Sequence, residues 1–214
     1  SFIGYSLILH NVFKRTLNLE YEFSLLASII FLIVLSFITH FFFRHGYLHN
    51  SIILVIGLLS FFIFFKKSQE MIKKYLKFII PIFTILIIAL LSAKTHDDFP
   101  YYHFPYTFYL TQENLIIGTG NLNHGFRTPS SIFYLNSLFY LPIIKYFSFH
   151  IGALLILGFS NLILIFKLKN DYDFKRYDFI FILTLLALLF INIFFYRISE
   201  HGTDRSAQIL IFIL

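Results

Sequence analysis

The sequence predicts an all-α, polytopic transmembrane helical bundle with a long extracytoplasmic loop that carries short interfacial helices. Three observations predict it. Hydrophobic residues make up 58% of the 214 residues and charged residues only 13%. Mean hydropathy is +0.77, and a water-soluble fold needs more polar groups than this to cover its surface. The charges are also bunched, so that long uncharged apolar runs lie between them.

A hydrocarbon core of about 30 Å calls for roughly 20 apolar residues in a helix, with about 17 still workable. Residues 23–43 meet this without a charge, and residues 47–65 follow, ended by Lys66 and Lys67. Residues 78–93 form a shorter run in which Pro81 falls near the start, where a first helical turn tolerates it. Residues 151–166 and 179–195 are further spans, each followed by charge, and another begins at 209. The expectation is a single transmembrane domain over 1–214 that is a piece of a longer chain. Residues 132–147 are ambiguous: Asn136, Ser137, Pro142 and Lys145 interrupt an apolar run. They read either as a span or as an amphipathic helix in the interface.

The net charge of +6 decides how to treat that segment. The basic residues sit beside apolar runs, where topology and anionic lipid headgroups explain them better than nucleic acid does. With 132–147 left in the interface, one face carries Lys14, Arg15, Lys66, Lys67, Lys73, Lys74, Lys77, Lys167, Lys169, Lys175 and Arg176. The other face carries only Arg44, Lys94, Arg127, Lys145, Arg197 and Arg205. If the segment spans, the imbalance narrows. The positive-inside rule favours the first arrangement, which puts the loop 94–150 and the loop 197–207 on the outer face together. The 31 Phe and 14 Tyr, with no Trp, match the codon bias of an AT-rich genome and carry little functional weight. The absence of cysteine excludes disulfides, thiolate metal sites and cysteine nucleophiles.

The external loop opens with His96-Asp97-Asp98 and continues through Pro100, His103 and Pro105. Residues before proline are pushed away from helical angles, so the stretch between the prolines is expected to be extended, with a helix from Pro105 to Glu113. Adjacent carboxylates raise the pKa of one member. Asp97 or Asp98 could then act as a general base, or the pair could hold a divalent cation with His96. The plain alternative is a solvated pair, or one that caps the next helix. Further on, Gly118 to Ser131 holds glycines, His124 and Arg127, which could cradle a phosphate. Phe126-Arg127-Thr128 stands where a nucleotide P-loop requires Lys-Ser/Thr, so that motif is excluded. The other reading is a glycine-rich turn before a helix capped by Ser130 or Ser131. The second outer loop packs Arg197, Glu200, His201, Asp204 and Arg205 into nine residues, either as an anion site or as a solvated, salt-bridged loop. His10, His40, His45 and His49 lie near segment ends and read as interfacial packing, and Asn161 and Asn192 as helix–helix hydrogen-bonding residues.

A long external loop that opens with an acidic pair and continues into interfacial helices resembles the GT-C class of membrane glycosyltransferases. The strings His96 to His103 and Asn123 to Ser131 also resemble polytopic membrane proteins of AT-rich bacteria. The GT-C resemblance implies transfer of a sugar from a polyprenyl-phosphate donor to an acceptor at the outer face of the bacterial cytoplasmic membrane, for envelope glycan or glycolipid. It implies Asp97 or Asp98 as the base that deprotonates the acceptor. It makes His103, His124, Arg127, Glu200, His201, Asp204 and Arg205 candidates for phosphate or acceptor contacts. The partners implied are the bilayer and the lipid-linked donor, with a divalent cation as an optional cofactor. Two other classes remain open: a transporter or flippase for a lipid-linked or anionic substrate, and a non-enzymatic scaffold. Transporters place ionisable groups within their spans, whereas these apolar runs hold no Asp, Glu, Lys or Arg.

Overall fold

A computed structural model describes residues 1–17, 20–92, 97–127, 129–194 and 203–213 of the chain. The described residues are helical, with no strand among them, in the order α1 (Phe2–Leu17), α2 (Tyr21–His40), α3 (Tyr47–Ser92), α4 (Phe104–Gln112), α5 (Ser131–Ser137), α6 (Ile151–Asp173), α7 (Phe179–Phe194) and α8 (Thr203–Ile211). Among the described residues, four stretches are long and apolar enough to cross a membrane: Tyr21–His40, Tyr47–Lys66, Ser68–Leu91 and Tyr146–Asp173. This is the composition of a multi-pass membrane protein.

Two of those stretches lie in one continuous helix, α3, of 46 residues. Drawn straight it would be about 69 Å long, more than twice the hydrocarbon thickness. It is not straight. Asn50, near its start, reaches the carbonyls of Ser137 and Tyr140, just ahead of α6. Phe83, about 50 Å further along a straight helix, packs against Gly158 and meets Phe159 edge-on at 5.4 Å in the first half of α6. Both ends therefore meet the same neighbourhood, and α3 must bend between them. The stretch Lys66–Lys77, the hydrophilic part of the run, separates the two apolar arms.

Small residues set how closely the arms approach their neighbours. A Cβ on Gly4 of α1 would come within 1.8 Å of the Gly57 carbonyl oxygen in α3, so the two backbones touch where only glycine fits. Beside this crossing, the Tyr5 hydroxyl donates to the Ile53 carbonyl at 2.7 Å. In α2, Ser24, Ser28 and Ser36 return their hydroxyls to carbonyls three residues back, which satisfies them inside an apolar helix.

The core is built around α6. Residues Gly152 to Leu164 are buried without interruption, and α2, α3, α7 and α8 all pack on this helix. A helix apolar on every side is the form that suits such a position. Asn161 and Asn192 exchange amide hydrogen bonds at 3.2 and 2.5 Å, joining α6 to α7 as expected of polar residues inside apolar runs.

Two local expectations change. Residues 132–147 are neither a span nor an amphipathic interfacial helix. They hold the seven-residue α5, buried from Ile132 to Leu138, and then a tight turn closed by a Leu141–Lys145 bridge. The apolar run was the signature of burial inside protein, which hydropathy cannot separate from burial in lipid. The run expected to open a span at 209 is already helical from Thr203, and α8 touches both α5 and α6.

Candidate functional site

The segment after α3 folds into an ordered cap over one end of the bundle. Phe99–His103 form a single π-helical turn that runs directly into α4. The expected extended stretch between Pro100 and Pro105 is thus helical. Each proline falls in the first turn of its own helical piece, where its missing N–H leaves no bond unmade. Two short 3-10 turns, Thr119–Asn121 and His124–Phe126, lead on towards α5. Ser130 occupies the N-cap position of α5 but makes no side-chain capping bond.

Aromatic rings hold the cap together. Tyr106 lies 5.1 Å from Phe126 and 5.6 Å from Phe133, and His103 lies 5.5 Å from Phe133. Gly125 closes this cluster from above, because a Cβ there would collide with Tyr102 at 2.5 Å. Burial pushes the Tyr106 hydroxyl up from its ordinary value, and its hydrogen bond to Tyr134 adds to the shift, so it stays protonated.

Hydrogen bonds tie the cap to the α2–α3 turn. The His45 amide donates to the Leu110 carbonyl at 2.9 Å, and the Arg44 amide to Asn114 Oδ1 at 2.8 Å. Asn50 Nδ2 lies within 3.0 Å of three carbonyl oxygens, those of His45, Ser137 and Tyr140. Beneath them three imidazoles stand in a column. The His45 ring is 4.9 Å from His40 and stacked at 4.8 Å on His49. His45 Nε2 faces the Ser36 carbonyl at 3.0 Å, and a carbonyl can only accept. In the neutral ring Nε2 therefore carries the proton, and Nδ1 lies 2.6 Å from the Ser137 hydroxyl, whose single proton is shared between Nδ1 and the Tyr134 carbonyl at 2.8 Å. Burial, with like charge from His49 and His40, pushes His45 down to about 3, so it is neutral at physiological pH.

These histidines were expected to be interfacial packing; His40 and His45 are instead fully buried, at 1% and 0% exposure. The signal was present in their spacing, five and four residues apart across a turn and followed at once by Asn50. Each alone read as an ordinary end-of-segment residue.

The candidate residues divide by place. Asp97 is exposed and Asp98 half-buried, at the N-cap of the π-helical turn, where no side-chain capping bond forms. His103 is buried beneath the cap. His124 and Arg127 are exposed on its outer surface, and Arg127 Nε donates to the Gly120 carbonyl at 3.3 Å. Arg205 is half-buried in the first turn of α8, which also contains Asp204. The cap and α8 therefore meet through α5. His96, Glu200 and His201 lie outside the described residues. Among the described residues no three His, Asp or Glu side chains converge to hold a metal.

A family model covers residues 1–214, the whole of the chain, under the description "Domain of unknown function (DUF8201)". The chain belongs to the DUF8201 family. No curated protein and no solved structure matches this DUF8201 chain. The DUF8201 fold thus reads as a helical bundle with a capped end, whose cap carries Asp98 and His103 and is tied by hydrogen bonds to the turn that holds His45.

Proposed function

We propose that the protein is a GT-C-like membrane glycosyltransferase of the bacterial cytoplasmic membrane that takes a sugar from a lipid-linked donor at the capped end. The observation that carries this reading is the half-buried position of Asp98 at the edge of an ordered, aromatic cap. A donor anchored in lipid reaches a protein only at the bilayer surface, and aromatic residues favour that depth. The capped end is the less basic one, which agrees with an extracytoplasmic position.

In the proposed reaction the Asp98 carboxylate takes the proton of an acceptor hydroxyl. The acceptor oxygen bonds to the anomeric carbon as the bond from that carbon to the donor phosphate breaks. The lipid phosphate departs with the electron pair. Asp98 ranks ahead of Asp97 because it is half-buried at the head of the π-helical turn, whereas Asp97 is exposed to solvent.

The test is Asp98→Asn and, separately, Asp97→Asn in the full-length protein, with surface glycan quantified at matched protein level. Asp98→Asn is expected to lower transfer by about 100-fold or more, the usual contribution of a general base, with a smaller loss for Asp97→Asn. Unchanged glycan in both variants ends the reading.

A further inference from the structure

The far end of the bundle has a different character. There Tyr21 of α2 packs on Tyr75, and Tyr75 on Phe166 of α6, so the start of α2, the lysine-rich stretch of α3 and the end of α6 lie together. Between α2, α6, α7 and α8 at this end lies a cavity of about 1110 Å³. Small-molecule sites run to roughly 300–1,000 Å³, so the cavity suits a larger, elongated occupant. Its walls are apolar, formed by residues such as Leu164, Leu183, Phe190 and Phe212.

Its other lining is charged with both signs: Glu20, Glu22 and Asp171 against Lys167 and Arg176. Among the described residues the ion pair at this end is Lys169 with Asp173, and neither of these lines the cavity. The acids and bases of the lining thus face one space without being spent on each other. Glu22 is the most demanding of them. It is only 5% exposed in the first turn of α2, and its described partner is the Tyr75 hydroxyl. A buried carboxylate calls for further donors.

We propose that this cavity binds one phospholipid whose headgroup carries both a phosphate and a primary amine, the phosphatidylethanolamine class. The acyl chains would lie along the α6 and α7 walls. The phosphate would accept from Lys167 and Arg176, and the ammonium group would donate to Glu20 and Glu22. The charges select among lipids. An anionic headgroup without an amine leaves three carboxylates facing a phosphate. A choline headgroup has no N–H to donate to them. This site is independent of the transfer reading, since it uses no residue of the cap.

Native mass spectrometry of the full-length protein tests this, after exchange into micelles that offer phosphatidylethanolamine, phosphatidylglycerol and phosphatidylcholine in equal amounts. One retained phosphatidylethanolamine per chain is expected. Lys167→Ala with Arg176→Ala should lower its retention about tenfold, the usual effect of losing a charged hydrogen bond. Glu20→Gln and Glu22→Gln should remove the preference over phosphatidylcholine. Glu20 and Arg176 are exposed, so their variants remain informative even where Glu22→Gln does not fold. Retention of no lipid, or of phosphatidylglycerol or phosphatidylcholine as readily, overturns the proposal, as does a dimer that excludes lipid by seating a second copy in the groove. The readout is bound lipid, so it stands whatever Asp98→Asn does to glycan.

Discussion

The two ends of the bundle use polar residues in opposite ways. At the capped end they are buried, and some are matched to one another: Asn50 gathers three carbonyls and His45 is held between Ser36 and Ser137, while the His40 ring and the Asn136 amide are buried without a hydrogen-bond partner among the described residues. At the lysine end they line an open cavity, with acids and bases left facing it. One end is knitted and the other is receptive. The helices that run between them show the same gradient. α6 is buried along most of its length, whereas α7 buries only Thr184 and Ile191. Within the spans, closeness follows small and polar residues, such as Gly158 against Phe83 and Asn161 against Asn192, rather than hydrophobicity.

The contrast can be broken most directly at Asn50. Replacing it with Leu removes the donor from the carbonyls of His45, Ser137 and Tyr140 and is expected to destabilise the protein by about 3 kcal/mol or more. Asn170→Leu, at the exposed edge of the cavity, is expected to change stability by less than about 0.5 kcal/mol. Equal shifts in thermal unfolding of the two variants in the same detergent would erase the distinction between the ends.

Acid should act on the capped end next. The folded state holds His45 at about 3, below the ordinary value of 6.5, so the unfolded chain takes up a proton that the folded chain refuses. Stability is full above pH 6.5 and falls as pH drops towards 3, by up to about 1.4 kcal/mol per pH unit. Between pH 6.5 and 4.5 the loss should reach about 2 kcal/mol, and the unfolding midpoint of His45→Gln should be flatter over the same window. A wild type without that acid slope, or a His45→Gln variant that keeps it, would place the sensitivity elsewhere.

A smaller effect than that of acid is expected in the middle. Asn161→Leu breaks the exchange with Asn192 and should weaken the fold by about 0.6–1.7 kcal/mol, the range for such bonds between membrane helices. The double variant with Asn192→Leu should lose little more than either single change, which a double-mutant cycle measures.

Hydropathy carries the fold class well, because burying an uncharged run in lipid needs no partner to be specified. It fails where protein, not lipid, does the burying. Ile132 to Leu138 read as membrane or interface and is the interior of the cap end. The change of direction between 47–65 and 78–93 was legible, since Lys66 to Lys77 separate two apolar runs, whereas the continuity of α3 through it was not. Of the candidate site, the position of Asp98 at the head of a helical piece was not legible, because Pro100 read as holding the stretch extended when it sits in the first turn of a helical piece. The imidazole column was not legible either, because it depends on a turn that brings His40 beneath His45 and on Ser137, 92 residues away along the chain from His45. The acids and bases of the cavity came from three segments, and each had an ordinary explanation as a charge flanking a span.

The burial of α5 from Ile132 onward bears on how the protein is made. Its seat is formed jointly by α2, from an early hairpin, and α6, which follows it in the chain. During synthesis α5 therefore leaves the ribosome before one wall of its site exists, and must wait at the membrane surface until α6 has entered the bilayer. Until then the imidazoles and Asn50 remain wet. Closure of the cap is thus a late event in biogenesis, and a nascent chain arrested before residue 151 would still lack it.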